Sequence, residues 1–542
     1  MYKKKFEKMI EEMTVEELVG QTMCVCLPTR GKIDDDNAVY ENFRRMHIGG
    51  LFIIGRTPEE TKKYIALAQS ATKLPLIVAS DIEHGAGNGV VGEPCFPCSM
   101  AWGACNDPLL IEKAGELTAK ICRSYGINYN FGPIVDLNVN PDNPESNIRS
   151  ISDDPDRVIS IGGAFMRGMT KNGYMVTACK HFPGQGTDDR NSHFVTTVNG
   201  FSRAKWYKTF GKVYKAMIKG GTASIMVGHS CLPAFDKERD EIFGEKPAVL
   251  SRAVMTDLLK GKLGFRGCIV SDAMSMIGVA ARLPLDRMAI EFFKAGGDMY
   301  LFPSYEDFCY VVDAVKSGEI PLERIKDAVR RVLYMKDKAR LFEDESKVLA
   351  EITVDRDEHR RLAQEIADKS IKVVRNLDNV IPADVKPGAR VLLLHMLENF
   401  YHEPPRGDEF SAMRRAFEER GYTVTEEFVP SYSFVKDNVD KHDLILINCK
   451  MSARDYHGGS LRVAWDNIML LWHARVLQHK RVIFTSFGCP YKIYEFPYLK
   501  EYINAFSYTD ETQVAVVKVI LGEISPMGKN PVTFKPYFEL EN

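Results

Sequence analysis

Short apolar runs alternate with helix-forming stretches along the first 300 residues. The stretches between the runs show helical periodicity and carry helix-boundary residues, with Asp107 and Pro108 at one start and Gly173 at another end. Continuously apolar strands that alternate with helices indicate a parallel sheet covered on both faces. The eight runs are 21–27, 50–55, 75–81, 127–136, 175–180, 223–229, 267–272 and 298–302.

Eight consecutive strand–helix units predict an α/β fold, a closed (β/α)8 barrel of the TIM type. An open, doubly wound sheet is the structural alternative, because it has the same alternation of strands and helices. At 542 residues the chain is too long for a single hydrophobic core. We therefore predict a catalytic barrel over 1–345, a helical connector over 346–379, and a smaller α/β (αβα) sandwich over 380–542 with elements in the order β-α-β-β-α-β.

Charged and imidazole side chains end several of the predicted barrel strands. In a (β/α)8 barrel the loops that follow the strands build the active site. For one such residue alone, a strand-end cap or a loop salt bridge is the better explanation. Five strand ends of this kind on one rim favour an enzyme. These residues are Asp81, Asp136, Lys180 with His181, His229 and Asp272.

Asp272 and the loop over 180–193 are the best candidates for acid–base chemistry. Asp272 directly follows the seventh strand, so its carboxylate is expected to point rigidly towards the barrel axis. The loop contains a proline and two glycines that exclude a helix, and His193 lies at its end. An imidazole ordinarily titrates near ~6.5, so His193 can donate and accept a proton close to neutral pH. The side chains that could donate hydrogen bonds to sugar hydroxyls are Lys180, His181 and Arg149.

Composition narrows the possible partners. The net charge is −2 and no basic tract with interleaved aromatics occurs, so we expect neither a nucleic-acid nor a membrane partner. No run approaches ~20 apolar residues, and the charged N-terminal segment favours an amphipathic surface helix over a secretory signal. Twelve cysteines in such a chain predict reduced thiols and a cytoplasmic location. Cys95 and Cys98 have zinc-like spacing without a second pair nearby, so we expect core cysteines and no metal.

A set of sequence blocks resembles glycoside hydrolase family 3, especially its β-N-acetylglucosaminidase branch. The resemblance runs across nearly the whole chain, and KHFPG followed by S-H and then by SDAM is a very specific combination. It implies the same barrel followed by a C-terminal sandwich. The barrel blocks include GGLFIIGR, PLIVASDIEHGAG, IRSISDDP, KHFPGQG, SIMVGHSCLPAFD and GFRGCIVSDAM, and the C-terminal blocks are RVIFTSFGCPY and VILGEISPMGKNPV.

The resemblance implies a retaining exo-β-glycosidase, and most closely a β-N-acetylglucosaminidase. Asp272 matches the family nucleophile, which forms a covalent glycosyl-enzyme, and His193 matches the histidine that serves as general acid and then as general base. The expected partner is a small oligosaccharide or an aryl or alkyl β-glycoside, this chemistry needs no metal or cofactor, and the sequence specifies no oligomeric state. The residues that match sugar-holding positions are Asp81, Arg149, Lys180 and His181, with His229 at a strand end on the substrate side.

The chain departs from the family pattern around His193. Gln185 replaces a second histidine, and Asn191 replaces the aspartate that usually partners the catalytic histidine. Such an aspartate raises the imidazole pKa by stabilising its cation, whereas Asn191 can orient the ring without bringing a charge. Three outcomes are open: His193 works with a lower pKa, Asp188 or Asp189 supplies the charge, or catalysis is weakened.

Three functional alternatives follow from these features. The first is a β-glucosidase-type exo-glycosidase. The family's β-glucosidases take a glutamate acid from the second domain, but the matching stretch here, KMSARDYHGG, has none and leaves only Glu398 and Glu403 as substitutes. An N-acetylglucosaminide phosphorylase would exploit His193, because a neutral imidazole does not repel an incoming phosphate as a carboxylate does. A catalytically inactive sugar-binding protein is the third alternative, suggested by Gln185 and Asn191.

Overall fold

The computed structural model describes residues 4–27, 33, 35–397, 407–451, 463, 465–472 and 475–534. The helices of this described part are all too short or too polar to traverse a lipid bilayer. Contacts divide the chain into two compact units, each discontinuous in sequence, and the predicted boundaries at 345 and 379 stay a prediction. The first unit contains Met1–Cys95, Pro108–Leu137 and Val158–His359, and the second contains Phe96–Asp107, Asn138–Arg157 and Arg360–Asn542.

The first unit is a parallel barrel of eight strands, so the predicted (β/α)8 fold is confirmed. The strands follow the order β8-β1-β2-β3-β4-β5-β6-β7, and a parallel bridge between Val270 and Met299 joins the two ends of this order. Seven strands lie within the predicted apolar runs, and β5 extends two residues beyond its run, to Phe182. The strands are β1 (Met23–Cys26), β2 (Gly50–Phe52), β3 (Ile77–Ser80), β4 (Tyr129–Asn130), β5 (Val176–Phe182), β6 (Ser224–Val227), β7 (Cys268–Ser271) and β8 (Tyr300–Leu301).

Large side chains fill the barrel interior. Phe52 stacks on Phe131 with ring centroids 5.6 Å apart, and the Tyr129 hydroxyl donates to Oγ of Ser224 at 2.7 Å. Val332 and Met335, from the helix over Leu322–Lys338, belong to the same buried cluster. A packed interior of this kind leaves the loops at the C-terminal ends of the strands as the place for a site.

The helices begin where the sequence supplies capping residues. Thr14, Thr57 and Ser304 each accept a hydrogen bond from the amide three residues later and form a capping box with an acidic side chain at that position. A π-helix spans Ala253–Lys262. The α-helices are α1 (Lys4–Glu12), α2 (Val15–Gln21), α3 (Asp36–Met46), α4 (Pro58–Ser70), α5 (Ser99–Cys105), α6 (Pro108–Ser124), α7 (Pro155–Thr170), α8 (Arg203–Lys208), α9 (Phe210–Lys219), α10 (Ile277–Ala280), α11 (Leu285–Ala295), α12 (Tyr305–Lys316), α13 (Leu322–Lys338), α14 (Glu345–Ala350), α15 (Arg356–Ser370), α16 (Ser411–Glu418), α17 (Tyr432–Asn438), α18 (Trp465–Trp472), α19 (Arg475–Gln478), α20 (Lys492–Glu495) and α21 (Asp510–Ile520).

The second unit contains a six-stranded sheet with apolar clusters on both faces, and the predicted α/β sandwich is confirmed. The order is β9-β14-β13-β12-β10-β11, with only the β9–β14 pair antiparallel. The predicted order of elements was wrong, because α17 lies between β11 and β12 and because the strands β9 and β14 were not predicted. The strands are β9 (Lys372–Asn376), β10 (Arg390–Leu397), β11 (Thr423–Phe428), β12 (Leu444–Lys450), β13 (Val482–Ser486) and β14 (Glu501–Asn504).

Candidate active site

Asp272 lies one residue beyond the end of β7. Its amide donates to the carbonyl of Val227 at 3.0 Å, and its Oδ1 accepts the amide of Ala273 at 2.7 Å. Burial would raise the pKa of Asp272, but His181, His229, the Ala273 amide and Lys180 together lower it to about 2. The carboxylate is therefore ionised at neutral pH, as a nucleophile must be.

Asp136 organises the end of β5 beside Asp272. Its carboxylate, 1% exposed, lies 2.7 Å from Nδ1 of His181 and accepts the amide of Gln185 at 2.8 Å. Because a carboxylate accepts the Nδ1 proton, Nε2 of His181 is left for another partner. A β-carbon at Gly228 would lie 3.0 Å from Cβ of His181 and 3.8 Å from Oδ2 of Asp272. His181 and Asp272 thus flank the same glycine.

A second charge cluster joins the ends of β3 and β5. Nζ of Lys180 lies 2.6 Å from Oδ1 of Asp81 and 3.2 Å from Oε1 of Glu83. Lys180 and Glu83 are buried, whereas the Asp81 side chain is 32% exposed. The ammonium offsets the cost of burying the glutamate, and Asp81 keeps an open edge that can accept hydrogen bonds from a polar ligand.

The loop after β5 has a fixed backbone path. Gly184 has φ of +115°, and a β-carbon there would lie 2.1 Å from the ring of Phe210, so only glycine is accommodated. Nε1 of Trp206 donates to the carbonyl of Pro183 at 2.9 Å, and Nδ2 of Asn199 donates to the carbonyl of Gly184 at 3.0 Å. These contacts hold the proline and glycine segment in one place.

His193 is oriented by Asn191. Oδ1 of Asn191 lies 2.8 Å from Nδ1 of His193 and accepts the backbone amide of His193 at 2.9 Å. Because the amide oxygen only accepts hydrogen bonds, this arrangement places a proton on Nδ1 of His193. Nε2 is then the nitrogen that can exchange a proton with a substrate.

The His193 loop is bound directly to the loop that follows Asp272. The carbonyl of His193 accepts the amide of Ile277 at 3.1 Å, and Oγ1 of Thr196 donates to the carbonyl of Gly278 at 2.6 Å. A β-carbon at Gly278 would meet the carbonyl of Ser192 at 2.4 Å, so the two backbones are in close contact. The segment that carries the His193 imidazole therefore contacts Ile277, five residues after Asp272 in the sequence.

The comparison with known families decides what kind of site this is. Residues 11–335 match the Glycosyl hydrolase family 3 N terminal domain, which is more than half of the chain. The chain belongs to glycosyl hydrolase family 3. The predicted family membership and the prediction of a glycoside hydrolase are therefore confirmed.

Relatives within the family extend the match to the whole chain. A Beta-N-acetylglucosaminidase/beta-glucosidase of Cellulomonas fimi is 29% identical over 96% of this chain and 94% of the relative. Beta-hexosaminidase A of Pseudoalteromonas piscicida is 28% identical over 91% of this chain and 90% of the relative. The solved structure of a beta-glucoside phosphorylase, BglX, is 27% identical, with a TM-score of 0.87 over 98% of this chain and 96% of that chain.

The three residues predicted to support His193, namely Asn191, Asp188 and Asp189, have different contacts in the loop. Asp188 accepts two hydrogen bonds from the guanidinium of Arg190 and one from the amide of Val198 at 2.7 Å. Burial raises its pKa, but these hydrogen bonds outweigh that effect and lower it. Asp189 is exposed, and the contact at Nδ1 of His193 is made by Asn191. Asp188 is therefore a structural anchor of the loop.

Two further predicted sugar-binding residues, His229 and Arg149, bind carbonyl groups of the protein. Nε2 of His229, a fully buried residue, donates to the carbonyl of Ala273 at 3.0 Å, so its ring supports the Asp272 loop. Arg149 belongs to the second unit, where Nη1 donates to the carbonyl of Glu145 at 3.3 Å, and its role stays a prediction. The acidic substitutes Glu398 and Glu403, and all but the first two residues of KMSARDYHGG, lie outside the described residues.

Sequence reasoning assigned no role to Asp136 or Glu83. Asp136 was noticed at a strand end, but its position behind His181 depends on the register between neighbouring strands, which the pattern does not give. Glu83 lies two residues beyond Asp81, in a buried, glycine-rich stretch. A buried carboxylate needs a partner that stabilises its charge, and this need is the signal by which the sequence could have singled out Glu83.

A carboxylate beside Nδ1 of His193 changes the pH dependence of this site. In an Asn191→Asp variant, the new charge stabilises the imidazolium form, so the alkaline limb of the kcat/KM pH profile should move up by about one pH unit. The measurement is the pH–rate profile of the variant beside that of the wild type. Asp189→Asn, which alters charge at an exposed position of the same loop, should leave the limb in place. An unmoved limb in Asn191→Asp would show that another residue already supplies the partner charge.

Proposed function

We propose that this family 3 protein is a retaining exo-β-glycosidase that releases N-acetylglucosamine, with Asp272 as nucleophile and His193 as general acid and base. The observation that carries the proposal is the binding of the His193 segment to the chain just beyond Asp272. It supports an ionised carboxylate and a proton-exchanging imidazole in one site, the pair of groups that double displacement requires.

In the first step the carboxylate of Asp272 attacks the anomeric carbon. A bond forms between that carbon and a carboxylate oxygen while the bond to the leaving oxygen breaks. Nε2 of His193 delivers a proton to the leaving oxygen, so the aglycone departs as a neutral alcohol. The lowered pKa of Asp272, about 2, ensures that the carboxylate is ionised when it attacks.

In the second step water replaces the aglycone. Nε2 of His193, now neutral, accepts a proton from the water as its oxygen attacks the anomeric carbon and releases Asp272. Oδ1 of Asn191 accepts the Nδ1 proton at 2.8 Å, so one nitrogen of the ring orients it and the other does the chemistry. Because each step inverts the anomeric centre, the product retains the configuration of the substrate.

The charged cluster beside the nucleophile suits a neutral polyol. The Asp81 carboxylate can accept hydrogen bonds from sugar hydroxyls, while Lys180 and His181 can donate to hydroxyl oxygens. Beta-hexosaminidase A, matched over 91% of this chain, favours an N-acetylated sugar, whereas the Cellulomonas fimi relative is named as both a beta-N-acetylglucosaminidase and a beta-glucosidase. All twelve cysteines are free thiols, which supports a reducing, cytoplasmic location.

Loss of the nucleophile should abolish turnover. Asp272→Ala is expected to reduce kcat on p-nitrophenyl β-N-acetylglucosaminide by at least about 10⁴-fold, because the residues described around the site offer no second ionised nucleophile in its place. Azide should restore part of the rate, since it fits the space left by the carboxylate and attacks the same carbon. The matched variant Asp189→Ala, in the exposed part of the loop, should keep near-normal turnover. Full activity in Asp272→Ala would refute the assignment, and hydrolysis of the glucoside alone would refute the preferred sugar.

Phosphorolysis is the second candidate, favoured by a specific feature of the site. The partner of the His193 ring is the neutral Asn191, and the Asp188 carboxylate is bound by Arg190. An incoming phosphate at this position therefore meets less negative charge than it would at a carboxylate acid/base. A similar solved structure is named as a beta-glucoside phosphorylase.

The two candidates give different products in phosphate. If phosphate is the acceptor, added phosphate should raise the rate and yield a sugar 1-phosphate, detected by ³¹P NMR, whereas sulfate at equal ionic strength should have no effect. If water is the acceptor, free sugar should be the sole product at every phosphate concentration. The product therefore assigns the acceptor directly.

A further inference from the structure

Exposed apolar side chains gather around the His193 loop. Phe194, Val195, Ile277 and Phe243 are each more than 40% exposed, although large apolar residues are usually buried. Together they line one cleft of about 310 Å³ in the first unit. Exposed apolar surface that is concentrated at one cleft marks a binding site more often than scattered residues do.

The backbone holds these side chains in position. The amides of Phe194 and Val195 both donate to the carbonyl of Asn191 at 3.1 Å, in the turn that carries His193. Ile277 donates its amide to the carbonyl of His193 and keeps its side chain in the cleft. Phe243 lies at the turn of a short hairpin, where Oδ1 of Asp240 accepts its amide at 2.9 Å. Phe194, Val195 and Ile277 thus lie on the segments that position the imidazole, and Phe243 lines the same cleft from the hairpin.

The two arginine side chains of the cleft are already hydrogen-bonded to other protein side chains. Arg190 forms its two hydrogen bonds with Asp188, and Nε of Arg282 donates to Oγ1 of Thr196 at 2.9 Å. The guanidinium of Arg282 also lies 5.6 Å from the ring centroid of Phe243. With these cations engaged, the cleft offers mainly apolar faces to a ligand.

In the proposed mechanism, the aglycone is the part of the substrate that lies closest to this cleft. The aglycone is bonded to the oxygen that His193 protonates, so it must leave from beside the imidazole. The two residues that follow His193 in sequence, and the residue that binds its carbonyl, line the cleft. An apolar group attached to the leaving oxygen would remove these side chains from water.

We propose that this cleft is the aglycone-binding site and that it selects glycosides whose aglycone is an aryl or alkyl group. The inference rests on the proposed function and extends it to the substrate class. Phe194 and Ile277 are then specificity residues, because they contact the departing group and not the reacting atoms. Binding energy from the aglycone would favour cleavage of apolar glycosides over methyl glycosides.

The test compares leaving groups that differ only in apolar length. Hexyl and methyl β-N-acetylglucosaminides expose the same kind of leaving oxygen, and β-N-acetylglucosaminyl fluoride has no aglycone to bind. The wild type should favour the hexyl glycoside by about tenfold or more in kcat/KM, and Phe194→Ala and Ile277→Ala should bring that ratio close to one. Both variants should cleave the fluoride within about twofold of the wild-type rate.

A matched control separates the cleft from general surface effects. Leu322 is 40% exposed, close to the value for Phe194, and begins α13 near the segment that precedes β8, at the opposite end of the barrel strands. Leu322→Ala should keep the wild-type ratio. A wild-type ratio near one, or an unchanged ratio in both cleft variants, would overturn the aglycone assignment. Equal losses on hexyl glycoside and fluoride would overturn it too, by showing that the side chains serve the loop itself.

Two further outcomes are distinguishable. Failure of the wild type to cleave even the fluoride would contradict the proposed function and not the aglycone assignment alone.

Analytical ultracentrifugation of the wild type and Phe194→Ala shows whether a second copy of the protein covers the cleft. A dimer that dissociates in the variant would make the cleft a subunit interface and overturn the proposal, whereas identical sedimentation of the two proteins supports it.

Discussion

The hydrogen bond between the carbonyl of His193 and the amide of Ile277, 3.1 Å long, is the constraint on which the site depends. It joins a long loop, which has no regular structure of its own, to the first residue of α10, five residues beyond Asp272. A group carried by a free loop would sample many positions, and the rate of proton transfer falls steeply when donor and acceptor are misplaced. The contact of Gly278 with Ser192 restricts the same junction, because a side chain at Gly278 would push the loop away.

Charge is distributed so that one carboxylate is reactive and another is structural. Asp136 and Asp272 are both close to His181, yet Asp136 accepts the His181 ring proton together with backbone amides. Its hydrogen-bonding capacity is used within the protein. Asp272 accepts one backbone amide and is stabilised by nearby positive charge, so an oxygen can still attack a substrate. Environment, not residue type, separates the two roles.

Local pattern predicted the barrel well, because each buried parallel strand is a continuous apolar run bounded by turn residues. It failed for α17, whose sequence buries only Val435 and so shows no apolar stripe. The candidate residues Asp81, Lys180, His181 and Asp272 were recognised from their positions at strand ends, and the structure brings them to one rim. The pairing of Lys180 with Glu83 and the location of Arg149 in the other unit depend on contacts between distant segments, which periodicity does not encode.

The most direct test of the account is a crystal structure of the protein inactivated by a fluorinated N-acetylglucosaminyl donor. The account predicts continuous density from an Oδ atom of Asp272 to the anomeric carbon, with Nε2 of His193 on the opposite face of the sugar, within about 3.5 Å of the space that the incoming oxygen occupies. Density joining the sugar to any other side chain, or an imidazole turned away from the sugar behind packed residues, would contradict it.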